Sequence, residues 1–219
     1  LIAKETFGFS GAHLESLANE AAILAMREGK NAIEMRHFKE AMDKVIMGEK
    51  LERRPSEAEL KRIAYHETGH AVVSEALRPG SVSSVTVTSR GRALGYMRQT
   101  QEDDLYIYTR DYLEDQVAIL LAGALAEEVA LGNRSTGAAN DFEQAISVAK
   151  KMVISGLSPL GIVSPDDIPR SLLHEAMVRI VAAQEKRVRE LLEGNRAALH
   201  EIAAALLERE RIDGDEFRK

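Results

Sequence analysis

The sequence predicts a mainly α-helical fold with one small β-hairpin or sheet, on three observations. Apolar residues recur at the helical period through most of the 219 residues. Capping and stopping residues bracket those stretches where helices should begin and end. A single region, residues 82–99, instead alternates small polar with β-branched residues around a glycine-bearing turn.

Taken in order, Ser10 is placed to cap a helix carrying Leu14, Leu17, Ala18, Ala21 and Leu24, closed at Gly29. A second helix carries Met35, Phe38, Met42, Val45 and Ile46 and stops at Gly48; Met26, Met35, Met42 and Met47 read as its shared core. The charged run from Glu49 to Arg54, followed by Pro55, marks a boundary, so we expect a helical unit over 1–49 and a larger domain over 56–219. Ser56 with Glu59 forms a capping box, predicting a helix from just after Ser56 to the Arg78-Pro79-Gly80 stop. Val82 to Thr88 and Ala93 to Gln99 form the β pair, the only convincing β segment. Residues 111–131 return to the helical period and close at Gly132-Asn133. The next helix is expected to be capped by Asn140, with Glu143 reciprocating, and to run to Gly156. Beyond a Pro- and Gly-bearing loop, two long helices, about 172–193 and 196–209, are split by Gly194-Asn195.

A net charge of -6 without clustered Lys and Arg argues against nucleic acid as a partner. The chain has no cysteine, so disulfides and thiolate ligands are excluded and any metal must be held by His and carboxylates. The longest uncharged apolar run, Val117 to Ala126, is half of what a bilayer crossing requires. Starting at Leu1 in mid-pattern, the sequence reads as part of a longer protein.

The chemistry concentrates in His66-Glu67-Thr68-Gly69-His70. Two imidazoles four residues apart on one helix can face the same zinc ion and leave Glu67 beside its open position, the arrangement of a metallopeptidase. His174-Glu175 and His200-Glu201 have no second histidine at that spacing and read as helix-surface residues. A catalytic zinc needs a third protein ligand. Asp141, in the first turn of its helix, is one candidate, although an acid there is more often a plain N-terminal charge. Glu127, ending an apolar helix, is the other.

Beyond the motif itself, the sequence resembles the FtsH family of membrane-anchored AAA+ zinc peptidases over essentially its whole length. The resemblance is carried by Gly8-Phe9-Ser10-Gly11-Ala12 with Leu14, by Asn19-Glu20-Ala21-Ala22, and by Tyr65-His66-Glu67-Thr68-Gly69-His70-Ala71. Gly91-Arg92-Ala93-Leu94-Gly95-Tyr96, Leu125-Ala126-Glu127-Glu128, Ser135-Thr136-Gly137-Ala138-Ala139-Asn140-Asp141 and Asp213-Gly214 with Phe217 complete it. It implies that residues 1–49 are the C-terminal helical lid of an AAA+ ATPase and 56–219 a zinc peptidase domain. It assigns Asp141 as the third ligand beside His66 and His70, one Zn2+ per chain, with Glu127 supporting the site. Phe7 stands where the family usually has Pro, His13 where it usually has Asp, and the 156–169 segment is short.

The expected activity is zinc-dependent endoproteolysis of unfolded or misfolded proteins, with Glu67 as the base. Gly91, Ala93, Leu94, Gly95 and Tyr96 are candidates to pair with an extended substrate. The resemblance further implies a homo-hexamer at the cytoplasmic face of a bacterial inner membrane, reached through segments preceding this sequence. ATP and Mg2+ belong to the full-length protein, because the phosphate-binding loop and acidic strand of an ATPase do not occur here. The alternative is a non-catalytic ring-assembly module with a structural or vestigial zinc site. Glu67 argues against it, since a structural site closes with four ligands and needs no base.

Overall fold

The computed structural model describes residues 2–6, 8–48, 55–89, 94–99, 107–164 and 166–219. The expected linker at 49–54, Phe7, and Gly91 and Ala93 lie outside them, as does the side chain of Met47. The helices are α1 (Ile2–Glu5), α2 (Gly11–Arg27), α3 (Met35–Met47), α4 (Glu57–Leu77), α5 (Arg110–Leu131), α6 (Ala139–Ile154), α7 (Arg170–Gly194), α8 (Arg196–Arg209) and α9 (Gly214–Phe217). The strands are β1 (Val82–Thr86), β2 (Tyr96–Gln99) and β3 (Arg211–Asp213). No described helix is long and apolar enough to cross a membrane.

Local chemistry sets the boundaries much as the residues dictate. Ser10 accepts from the His13 amide while His13 Nδ1 accepts from the Ser10 amide, so the histidine takes the reciprocal role of a capping box. Ser56 and Glu59 make the expected box at the start of α4. Gly132, at φ 82°, closes α5 in the left-handed region.

Four expectations need correction. Asn140 caps nothing: Ser135 begins a 3-10 turn over Thr136–Ala138 by accepting from the Gly137 amide, so the chain is already helical when it reaches Asn140, and Glu143 has no box to complete. The β region is not a lone pair, because β3 joins β1 on its other side, giving the antiparallel order β2-β1-β3. Three residues following directly on a helix leave no alternation to read. Of the expected methionine core, Met42 is buried but Met26 and Met35 are exposed, as are Leu14 and Ile46; the small α2–α3 core holds Leu17, Ala21, Ala41 and Met42. His200 is half-buried, its Nδ1 2.9 Å from the Tyr65 hydroxyl, whereas His174 is exposed as expected.

Helix α4 lies between two larger cores. On one side Val72 and Val73 pack with Leu113, Val117, Leu121 and Leu125 of α5, Met152 of α6 and Val188 and Leu192 of α7. On the other, Ile63, Ala64 and Ala71 meet Val82 and Val85 of β1, Ala203 and Leu206 of α8 and Ile212 of β3. Fully burying each large aliphatic side chain contributes about 1.5–3 kcal/mol. Being buried on both sides, α4 carries polar groups in its middle at a cost that partners offset for its histidines, while the Thr68 hydroxyl is buried without one among the described residues.

Candidate metal centre

Helices α4 and α5 meet along two stripes of side chains spaced four residues apart. On α4 the stripe is Arg62, His66 and His70; on α5, running the other way, it is Ile119, Gly123 and Glu127. Glycine makes the approach possible. A β-carbon on Gly69 would lie 2.3 Å from Ala126 Cβ and 2.6 Å from the Ala122 carbonyl oxygen, and one on Gly123 would strike both imidazoles.

Each imidazole is held through its Nδ1. His66 Nδ1 lies 2.8 Å from Glu127 Oε1 and His70 Nδ1 lies 2.7 Å from the Ile119 carbonyl oxygen, acceptors that require an N–H on each Nδ1. The two Nε2 atoms face one another at 3.1 Å, with Asp141 Oδ2 3.2 Å from His66 Nε2 and 3.6 Å from His70 Nε2. With Nδ1 protonated, neutral imidazoles bring two lone pairs and a carboxylate to one point. Such an arrangement repels itself unless a cation stands there. These three residues are the group among the described residues able to hold a metal ion, their ligand atoms all within 4.8 Å of one another. Two imidazole nitrogens and a carboxylate oxygen suit zinc and leave a coordination position open.

The electrostatics carry the same demand for positive charge. Burial disfavours the His66 cation, but hydrogen bonds to Asp141 and Glu127 override it and raise the metal-free pKa to about 10. Burial works against the Asp141 carboxylate too, and the two histidines more than compensate, holding it well below the usual range. Glu67 goes the other way: desolvation raises its pKa, only partly countered by the histidines and by a hydrogen bond from the Met97 amide of β2. Glu67 is thus the one carboxylate of the centre pushed toward taking a proton.

All of the expected site residues on helices meet here. Glu127 lies behind His66, not in the group that could hold the metal. Of the expected substrate-pairing residues, Leu94, Gly95 and Tyr96 lead into and begin β2, an outer strand of the described sheet; Gly91 and Ala93 lie outside the described residues. Gly95 has a steric reason to be glycine, since a β-carbon there would lie 2.7 Å from Ile63 Cγ2 and 3.0 Å from Glu67 Cγ. The His-Glu-x-x-His pattern gives no pointer to Gly123, Arg62 or Ser135. Gly123 had a signal, because a glycine inside a helical pattern costs about 1 kcal/mol relative to alanine and needs a reason.

The family model described as Peptidase family M41 matches residues 53–169, and the AAA+ lid domain matches residues 1–40. The chain is similar along its full length to the ATP-dependent zinc metalloprotease FtsH 1 of Thermoanaerobacter sp. (strain X514), 39% identical and covering 40% of it. It is 41% identical to the ATP-dependent zinc metalloprotease FtsH of Magnetococcus marinus, covering 36%, and 40% identical to that of Thermotoga maritima, covering 40%. The chain spans about two fifths of the length of these curated relatives.

Proposed function

This chain belongs to peptidase family M41, and from that premise we propose that it is a zinc-dependent endopeptidase acting on unfolded polypeptides. The observation that carries the reading is the convergence of the His66 and His70 Nε2 atoms on Asp141 Oδ2, with both Nδ1 atoms already committed elsewhere. His66, His70 and Asp141 would hold the metal, one ion per chain. A zinc ion held there supplies Lewis acidity, polarising the scissile carbonyl and lowering the pKa of a water toward neutrality. Glu67 takes the proton as that water's oxygen bonds to the carbonyl carbon. It then hands the proton to the departing amide nitrogen as the C–N bond breaks. Its raised pKa suits both duties.

Gly95, on which a β-carbon would lie 3.0 Å from Glu67 Cγ, puts the start of β2 beside the reacting centre. An extended substrate aligned with the segment through Leu94, Gly95 and Tyr96 would present its backbone there with little demand on sequence. Gly91 and Ala93 are proposed to extend that segment. Residues 1–49 are read as the lid of an ATPase and 56–219 as the peptidase unit, working in a hexamer at the cytoplasmic face of a bacterial membrane, with ATP and Mg2+ used elsewhere in the full-length protein.

The test is a zinc titration run beside cleavage of casein. Binding of one zinc per chain, with cleavage that a chelator abolishes and zinc restores, supports the reading. Tight zinc binding without cleavage by the assembled protein would leave a structural metal site instead.

A further inference from the structure

We propose that Arg62 is a positioning residue of the metal centre, a two-armed clamp that fixes both the carboxylate behind His66 and the loop leading to Asp141. The inference rests on reading His66, His70 and Asp141 as a metal site.

One arm reaches Glu127. Nη1 of Arg62 donates to Glu127 Oε2 at 2.6 Å, while Oε1 of the same carboxylate takes His66 Nδ1 at 2.8 Å and the Ser135 hydroxyl at 3.1 Å. Glu127 is 1% exposed. An anion so buried persists only with a close, well-aligned cation. Arg62 is that cation, one turn before His66 on the same stripe of α4. Removing it would leave Glu127 free to turn about its own bonds, and with it the orientation of the His66 ring.

The other arm reaches the turn after α5. Nη1 also donates to the Asn133 carbonyl oxygen at 3.0 Å, and Nη2 to Asn133 Oδ1 at 2.7 Å. Asn133 lies two residues before Ser135, which begins the 3-10 turn that runs directly into α6 and places Asp141 in its first helical turn. A single planar guanidinium therefore spans from the support of one ligand to the approach of another, 65 positions away in sequence at Glu127 and 71 at Asn133. Lysine has one nitrogen and would give up the contact to Asn133 Oδ1 that Nη2 makes.

The experiment is a double-mutant cycle on zinc affinity, read by competition with a chromophoric chelator, using Arg62→Met, Glu127→Gln and the pair. The visible spectrum of the cobalt(II)-loaded proteins reports the ligand geometry. Arg62→Met should weaken zinc by about 10 to 100-fold, the scale for groups that orient ligands, and alter the cobalt bands. The double variant should lose less than the product of the two single losses, because the two residues share one contact, yet bind worse than Glu127→Gln alone, because the Asn133 arm is lost as well. Wild-type zinc affinity in Arg62→Met, or losses that multiply in the double variant, would overturn the proposal. If Arg62→Met does not fold, Arg62→Gln, which keeps a polar head but no charge, replaces it in the same cycle with the same overturning outcomes. A wild-type protein that takes up no zinc would instead defeat the metal-site reading, and the proposal with it.

Discussion

Gly123 faces His66 so closely that a β-carbon on it would lie 2.5 Å from His66 Nε2, and 2.6 Å from His70 Nε2. Elsewhere in a helix, exchanging glycine for alanine gains about 1 kcal/mol. Here the methyl would occupy the space where the metal ligands turn toward one another. Gly123→Ala should therefore lose most of its zinc and melt at a lower temperature, against the helical trend. Elemental analysis with a thermal melt by circular dichroism checks this, and a fully zinc-loaded variant would show that α5 can yield.

Replacing Glu67 with Gln keeps the shape of a buried side chain and removes the proposed base. Zinc content should stay at one per chain while casein cleavage falls by at least about 100-fold, the lower scale for positioned proton transfer. Full activity with normal zinc would assign the base to another group.

Asp141→Ala should abolish tight zinc binding, because it deletes a ligand atom. Glu127→Ala should weaken it by about 10 to 100-fold, because it frees a ligand that remains in place. Isothermal titration of both variants decides between them, and the reverse order would move Glu127 into the ligand set.

The limits of the sequence lie in how far apart its partners stand. His66, Glu67 and His70 were legible because helical geometry alone places them together. Asp141 has no such local argument: its first-turn position has an ordinary electrostatic explanation, the sequence pointed to it only through the family resemblance, and its contact with His66, 75 positions away, brings it to the centre. The same holds for Arg62, whose Ser56-capped helix gave no reason to look toward Asn133. Helix ends were readable at Ser10, Ser56 and Gly132, where the cap is a side chain or a left-handed glycine, and misread at Asn140, where a preceding 3-10 turn had already spent the cap. Exposed Met26 and Ile46 show the other failure: a helical period marks a face without showing how far along it the neighbour extends.

Zinc binding should release protons. His66 in the metal-free protein has its pKa raised from 6.5 to about 10, so at pH 8 it carries a proton that a metal must displace. Titrations in buffers of different ionisation enthalpy should give about one proton per zinc at pH 8, falling toward none above pH 10. Because the folded pKa is the higher one, the paired cation stabilises the metal-free fold in full below about 6.5. That contribution is lost as the pH rises through 10. Chelator-treated protein should accordingly melt lower at pH 9.5 than at pH 7, and a pH-independent proton count would remove His66 as the source.

Asp43 of α3 joins α3 to the sheet: Oδ1 lies 3.4 Å from Nη1 of Arg98 on β2, and Oδ2 pairs with Arg211 on β3. Arg98 also holds Glu5 of α1 at 2.6 Å. Asp43 is 2% exposed, and Asp43→Ala removes one buried charged contact from each arginine while leaving Arg98 with Glu5 and Arg211 with Asp213, so it should destabilise by about 1.5–3 kcal/mol. Urea unfolding followed by tyrosine fluorescence measures the loss, and a change below about 1 kcal/mol would make the network a surface ornament.

Strand β1 pairs with β2 at residues 96–99 and with β3 at residues 211–213, so its two borders are supplied at very different times during translation. A nascent chain released as far as α6 already holds His66, His70 and Asp141, while Val85 still waits for Ile212 to arrive opposite it. Roughly seventy residues separate Asp141 from Ile212, on the order of 4 to 14 s at ribosomal speed. Throughout that interval one border of β1 offers its amides and carbonyls to any strand nearby, including the same strand on a neighbouring ribosome. The newborn chain thus has its candidate ligands in hand before its sheet is sealed, and those seconds are when it is most open to mispairing.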